Sequence, residues 1–238
     1  MKLLCFTVAV LMTCLSTFEL NAADKVAITK GQKIAFLGDS ITAAGARNGG
    51  YCDLVMKTLN GRGLELTSQY AGIGGHKSNQ MLARLEKDVL DHKPNWMTLS
   101  CGVNDVWHGE RGVALKPYKK NITEIVDQAQ AAGIKVVLLT STMIKEDQAN
   151  DLNQKLAPYN QFIRKLAKKK KCLLADVNAE MQAALKEFPA DAEKGKQLTS
   201  DGVHMNALGN QMMAKGVLKA LGLSDEEIAA AETEWNKK

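Results

Sequence analysis

Past residue 23 the sequence has no apolar run approaching the roughly 18 residues that a membrane-spanning helix needs. It also lacks a proline- or serine-rich linker, an internal repeat and a low-complexity segment, so the 238 residues are read as one domain around one core. Cysteine is scarce. Cys5 and Cys14 fall in the first 23 residues, which leaves Cys52, Cys101 and Cys172. An odd number on core-like segments excludes a fully paired disulfide framework and reads as buried free thiols. His76, His92, His108 and His204 show no short metal-ligand spacing, so no metal and no other cofactor is expected. Charge of one sign is not abundant either, the net value being +5. The densest basic cluster, Lys168 to Lys171, has no aromatic residue interleaved and ends a predicted helix, where cations meet the negative end of the helix dipole. No nucleic-acid partner is expected.

What is present begins with a leader. Lys2 precedes the apolar run Leu3 to Leu15, and Ala22 and Ala23 come just before Asp24, the pattern of a secretory signal peptide over residues 1–23. The expectation is a secreted or periplasmic protein over residues 24–238, with no stable membrane insertion after cleavage. Removing the leader takes away one lysine and one glutamate and leaves the charge unchanged.

From Lys33 onward, strand-length apolar runs alternate with amphipathic stretches, the signature of an α/β fold with a parallel sheet covered on both faces. Strands are predicted at Lys33–Leu37, Leu64–Tyr70, Trp96–Cys101, Lys135–Thr140 and Leu173–Val177. Helices are predicted near Tyr51–Asn60, Asn79–His92, Lys116–Ala132, Leu152–Lys170, Ala179–Lys186 and Ala207–Leu221. Gly133 follows the Ile122/Ile125/Val126/Ala129 stripe as a helix stop. Ser224 and Glu227 are spaced as a capping box that opens a last helix.

Ligands of open parallel sheets bind at the carboxyl ends of the strands. Three unusual segments follow strands: Gly38-Asp39-Ser40-Ile41-Thr42, Ala71-Gly72-Ile73-Gly74-Gly75 and Gly102-Val103-Asn104-Asp105. A fourth, Asp201-Gly202-Val203-His204, precedes the helix near Ala207. Together they contain the parts that acyl transfer requires. Ser40 is a hydroxyl in a strand-to-helix turn, and Asp201 stands three residues before His204, where it can hold the ring while the other ring nitrogen faces the serine. Gly72 leaves its backbone accessible, and Asn104 carries a side-chain amide donor. Singly, each has a plain alternative as a turn or a helix cap; their order along the chain favours the joint reading.

In that order the four segments resemble the conserved blocks of the SGNH hydrolases, also called GDSL-like lipases and acylhydrolases, from Lys33 to about Leu221. The resemblance implies a flavodoxin-like three-layer α/β/α sandwich with a five-stranded parallel sheet. It implies Ser40, Asp201 and His204 as catalytic residues, and the Ser40 N–H, Gly72 and Asn104 as the oxyanion hole. The second block departs from the family pattern: Tyr70 stands where an asparagine is common, two residues before the glycine. Ile41 replaces the leucine of the family's older name, at similar volume. The α/β-hydrolase elbow is disfavoured because Thr42 occupies the place of its second glycine, and His76 breaks the glycine pattern of a P-loop.

The expected partner is a small-molecule or carbohydrate ester, with acetyl groups favoured. A lysophospholipase or thioesterase is the alternative, followed by a non-catalytic carbohydrate-binding domain. Trp107 is a candidate substrate-binding residue. The loops Val106–Leu115, Ser141–Asp151 and Phe188–Ser200 are rich in charged residues, among them Glu110, Arg111, Lys145, Glu146, Asp147, Asp191 and Lys194, which suits a hydrated sugar better than a long acyl tail.

Overall fold

Five short segments form a parallel sheet among the described residues: β1 (Lys33–Gly38), β2 (Thr67–Gly72), β3 (Trp96–Ser100), β4 (Lys135–Leu139) and β5 (Leu173–Ala175), in the order β2-β1-β3-β4-β5, the edge strand β2 being the least apolar. The computed structural model describes residues 26–189 and 195–237, so the predicted leader lies outside the described residues. Ten helices connect and cover the strands: α1 (Ser40–Gly45), α2 (Tyr51–Gly61), α3 (Ser78–Ala83), α4 (Leu85–Asp88), α5 (Val103–Trp107), α6 (Leu115–Ala131), α7 (Asp151–Lys170), α8 (Val177–Glu187), α9 (Ala207–Ala220) and α10 (Asp225–Trp235). One layer holds α3, α6 and α7, and the other is built around α9, against which α2, α8 and α10 pack. This is the expected three-layer α/β/α sandwich.

Burial explains the arrangement. Ile34, Ala35, Phe36 and Leu37 of β1, Met97 and Leu99 of β3, and Val137 and Leu138 of β4 are buried, as central parallel strands covered on both faces must be. Each such aliphatic or aromatic side chain contributes roughly 1.5–3 kcal/mol. The α6 stripe Ile122, Ile125, Val126 and Ala129 is likewise buried. Gly133 ends that helix in the left-handed region at φ 77°, which a residue with a Cβ enters only at a cost. The capping box of α10 forms as expected, with Ser224 N–H on Glu227 (2.7 Å) and Glu227 N–H on Ser224 Oγ (3.2 Å). Cys52 and Cys101 are buried free thiols and Cys172 is half-buried.

Three elements differ from the sequence reading. The second strand runs to Gly72 because its register against β1 continues to the Gly38–Gly72 pair. The fifth stops at Ala175, where Asp176 caps α8 through the Ala179 N–H and pairs with Arg164 (2.7 Å). The helix expected over Asn79–His92 breaks into α3, α4 and a 3-10 turn at Leu90–His92. Arg84 stands at the first break, with φ −109° and ψ 3°, and its side chain turns toward the sheet ends.

The chain leaves β1 toward β2 on one side and returns to β3 on the other. The order thus switches at β1, the place in an open parallel sheet where ligands bind beyond the carboxyl ends of the strands. The segments after β1, β2 and β3 meet there.

Candidate active site

Ser40 is the first residue of α1, and Asp39 is its N-cap, accepting the Ile41 N–H on Oδ1 at 2.9 Å. The first N–H groups of a helix have no partner within it, so the Ser40 N–H is not used by α1 itself. Asp39 is buried. Burial pushes its carboxyl up to about 6; the Ile41 bond opposes the rise, nearby Asp105 adds to it, and His204 opposes it.

The loop that carries Asp201 and His204 arrives from the far end of the chain. His204 Nε2 lies 2.9 Å from Ser40 Oγ, and its Nδ1 lies 2.6 Å from Asp201 Oδ2. The other Asp201 oxygen accepts the N–H groups of Val203 (2.9 Å) and His204 (2.8 Å). Desolvation works to raise the Asp201 carboxyl, but the bonds from the His204 ring and from these two amides outweigh it and hold the group at about 2. An ionised Asp201 only accepts, so Nδ1 carries the ring proton and Nε2 is free to take the Ser40 hydroxyl proton.

This loop is pinned by a residue that sequence reasoning assigned to a polar loop wall. Glu146 is buried, not lining the cleft. Its carboxylate accepts the N–H groups of Gln197 (2.9 Å), Leu198 (2.8 Å) and Thr199 (2.7 Å) and the Thr199 hydroxyl (2.8 Å). Beside it, the Lys145 N–H donates to Gly202 O at 2.6 Å. Glu110, Arg111, Lys145 and Asp147 are exposed, as expected, and Asp191 and Lys194 lie outside the described residues.

Gly72 ends β2. Successive N–H groups of a strand point to opposite sides, and Ile73 N–H donates to Gly38 O (3.2 Å), so the Gly72 N–H lies outside the β1–β2 ladder. A Cβ on Gly72 would fall 2.3 Å from Ala43 N and 2.7 Å from Ala43 Cα. The glycine is therefore required first by the close approach of α1. Asn104 sits in the short helix α5, with Nδ2 donating to Asp39 Oδ2 (3.2 Å) and His76 O (3.3 Å). Its neighbour Asp105 is buried and ties α5 to α3 through the Ser78 hydroxyl (2.6 Å). Trp107 closes α5, three residues beyond Asn104 and so on the same helical face, and is 43% exposed. Tyr70, in the place of the common asparagine, stacks on Phe36 with ring centroids 5.7 Å apart. Tyr51 is packing, buried with its hydroxyl 2.8 Å from Thr42 Oγ1. No cluster of potential metal ligands occurs among the described residues.

Sequence and structure comparisons point the same way. The profile of the GDSL-like Lipase/Acylhydrolase family matches residues 36–212. An acetylxylan esterase from Geobacillus stearothermophilus is 27% identical over 216 residues, spanning 82% of this chain and 96% of the relative. The crystal structure of the acetyl xylan esterase AlAXEase superposes with a TM-score of 0.72 at 37% identity, covering 79% of this chain and 98% of that one. The solved structure of the Geobacillus esterase gives 0.75 at 25% identity over 83% and 97%. With most of the chain under the family profile and the blocks that define it gathered at one sheet edge, this protein belongs to the GDSL-like lipase/acylhydrolase family and is a carboxylic ester hydrolase of the SGNH type.

Proposed function

We propose that the protein is an exported serine esterase that removes acetyl groups from carbohydrate esters. Ser40 is the nucleophile, His204 the general base and acid, and Asp201 the residue that orients it. The Ser40 N–H, the Gly72 N–H and Asn104 Nδ2 form the oxyanion hole. The observation that carries this reading is the His204 ring bridging Ser40 Oγ (2.9 Å) and Asp201 Oδ2 (2.6 Å). Ser40 Oγ bonds to the acyl carbon while its proton passes to His204 Nε2. Collapse of the tetrahedral oxyanion releases the sugar alcohol, which takes that proton. Water repeats the sequence on the acyl-serine, giving acetate and regenerating Ser40.

Three features support an acetylated sugar as substrate. The side chains of His204 and Asp201 are 41% and 55% exposed, which describes an open shelf and not an acyl tunnel. Trp107 offers an exposed indole beside Asn104 on which a sugar ring can stack. The relatives described above are acetylxylan esterases. In the Geobacillus enzyme, variants described as catalytic mutants alter a serine, an aspartate and a histidine, the last two three residues apart as Asp201 and His204 are. Export rests on the leader pattern of residues 1–23, and places the enzyme outside the cell or in the periplasm. No described helix is long and apolar enough to cross a membrane.

The test is the purified protein on nitrophenyl esters of increasing acyl length, acetylated xylo-oligosaccharides and lysophospholipid. Acetyl substrates are expected to give the highest kcat/KM. A steady climb from acetyl to octanoyl would favour the lysophospholipase or thioesterase alternative instead, since each buried methylene can contribute roughly 0.8 kcal/mol. Ser40→Ala is expected to abolish hydrolysis with unchanged melting; substantial turnover in that variant would remove Ser40 from the mechanism.

A further inference from the structure

We infer that Arg84 fixes and polarises the peptide group that supplies the Gly72 N–H, making it a positioning residue for the oxyanion hole; this rests on the assignment of Gly72 as a donor made above. The Arg84 guanidinium sends Nη1 to Ala71 O (2.9 Å) and Nη2 to Gly38 O (2.8 Å). Ala71 O and Gly72 N are the two ends of one peptide group. A cation bonded to the carbonyl oxygen draws electron density out of the amide nitrogen by resonance, so the N–H at the other end becomes a stronger donor, and the planar group is held in one orientation. The second bond, to Gly38 O, locks the end of β1 two residues before Ser40, at the Gly38–Gly72 pair of the ladder.

The same guanidinium is linked through His76 to a second donor. Its Nε donates to His76 Nδ1 (3.1 Å), and His76 O is one of the two acceptors that hold Asn104 Nδ2. A merely structural Arg84–Asp88 ion pair at i,i+4 would stand in solvent on an unbroken helix. Instead the helix breaks at Arg84, the side chain is only 10% exposed, and Asp88 (2.8 Å) is just one of four acceptors.

The experiment compares Arg84→Gln and Arg84→Lys with the wild type by kcat and KM on nitrophenyl acetate, by melting temperature, and by Ki for an aryl trifluoromethyl ketone. That ketone adds to the serine and places an anionic oxygen in the hole. For Arg84→Gln we expect kcat to fall roughly 10- to 100-fold, less than the roughly 10²–10³ for deleting a donor outright, with KM within about threefold and Ki rising in parallel with the loss of kcat/KM. Arg84→Lys, which keeps a cation but not the fork, is expected to fall between. Asp88→Asn, which spares both carbonyl bonds, should keep kcat within about threefold, because the oxyanion peptide is untouched. Unchanged kcat in a folded Arg84→Gln, a rise in KM alone, a Ki that does not follow, or an equal loss in Asp88→Asn would each overturn the inference. If Arg84→Gln does not fold, Arg84→Lys carries the same comparison. Ser40→Ala, measured beside them, separates the two failures: surviving turnover there defeats the site itself, whereas its loss with an intact Arg84→Gln defeats only the role of Arg84.

Discussion

Asp39 and Asp201 sit on opposite sides of the Ser40–His204 pair and belong to regions built on different terms. Asp39 is part of the Ser40 side, set on strand ends, buried, and pushed up to about 6 chiefly by loss of water. Asp201 is part of an exposed loop, and hydrogen bonds from the ring and two amides hold it at about 2 against desolvation. The anchors differ in the same sense. A cation, Arg84, gathers carbonyl oxygens under the Ser40 side, while an anion, Glu146, gathers amide N–H groups under the loop that carries Asp201 and His204. Each half thus uses the charge that its free backbone groups select: strand ends present carbonyls, and the loop presents amides.

The largest way to break this arrangement is on the exposed side. Asp201→Asn keeps the shape but loses the anion that fixes the ring tautomer, and kcat is expected to drop by about 10⁴, as for comparable triads. A drop below tenfold in steady-state assays would show that the ring is oriented without Asp201. On the buried side Asn104→Ala is expected to lower kcat by roughly 10²–10³ with little change in KM, since the amide meets an oxygen that becomes charged only as Ser40 attacks. A rise in KM alone would make Asn104 a ground-state contact.

Glu146→Gln tests whether the loop depends on its hidden anchor. One oxygen becomes an NH₂ that faces backbone N–H donors, so melting should fall by an amount corresponding to about 2–4 kcal/mol. Labelling of Ser40 by a fluorophosphonate should slow by roughly tenfold, because His204 is less well placed. Melting and labelling equal to the wild type would show that the loop holds itself.

In the pH dependence of stability the two aspartates should act in opposite directions. The folded pKa of Asp39 is raised, so its contribution is fully present below about pH 4 and is lost as pH rises to about 6, an amount near 3 kcal/mol. The folded pKa of Asp201 is lowered, so its contribution is present above about pH 4 and is lost as pH falls toward 2; exposure to solvent keeps it small. Denaturant titrations at pH 4 and 6 should therefore show a change in stability in the wild type that Asp39→Asn reduces and Asp201→Asn leaves in place, the remainder coming from Asp105 and Glu180, whose carboxyls burial also raises. An unchanged slope in Asp39→Asn would place its origin elsewhere.

Much of this molecule was legible in the sequence, and what was not shares a cause. Apolar runs and stripes of local period revealed the five strands and the long helices, because burial of one face is a local pattern. The meeting of the Ser40, Gly72 and Asn104 segments could be read because each follows a strand and the topology brings those strand ends together, whereas Asp201 and His204 follow no strand and were singled out by the order of the four segments along the chain. Spacing alone would not have sufficed: Asp105 and His108 are also three residues apart, yet Asp105 is buried against Ser78. Arg84 and Glu146 were missed. Arg84 looked like one polar position of a continuous helix, and Glu146 like a solvated loop residue. Their partners are backbone atoms 13 and 46 positions away for Arg84 and 51 to 53 for Glu146, which no local pattern announces.

The separation of the site along the chain has a consequence for how activity appears during folding. Ser40 and His204 are 164 positions apart, and β1, which ends two residues before Ser40, must pair with both β2 and β3 before the site is assembled. Closing so long a loop costs conformational entropy that local contacts do not repay, so it is expected to come after the nearer strand–helix units have condensed. In refolding, far-ultraviolet circular dichroism should recover before ester hydrolysis does, so the enzyme reports its own last folding step: the docking of the C-terminal quarter of the chain onto a sheet that has already formed.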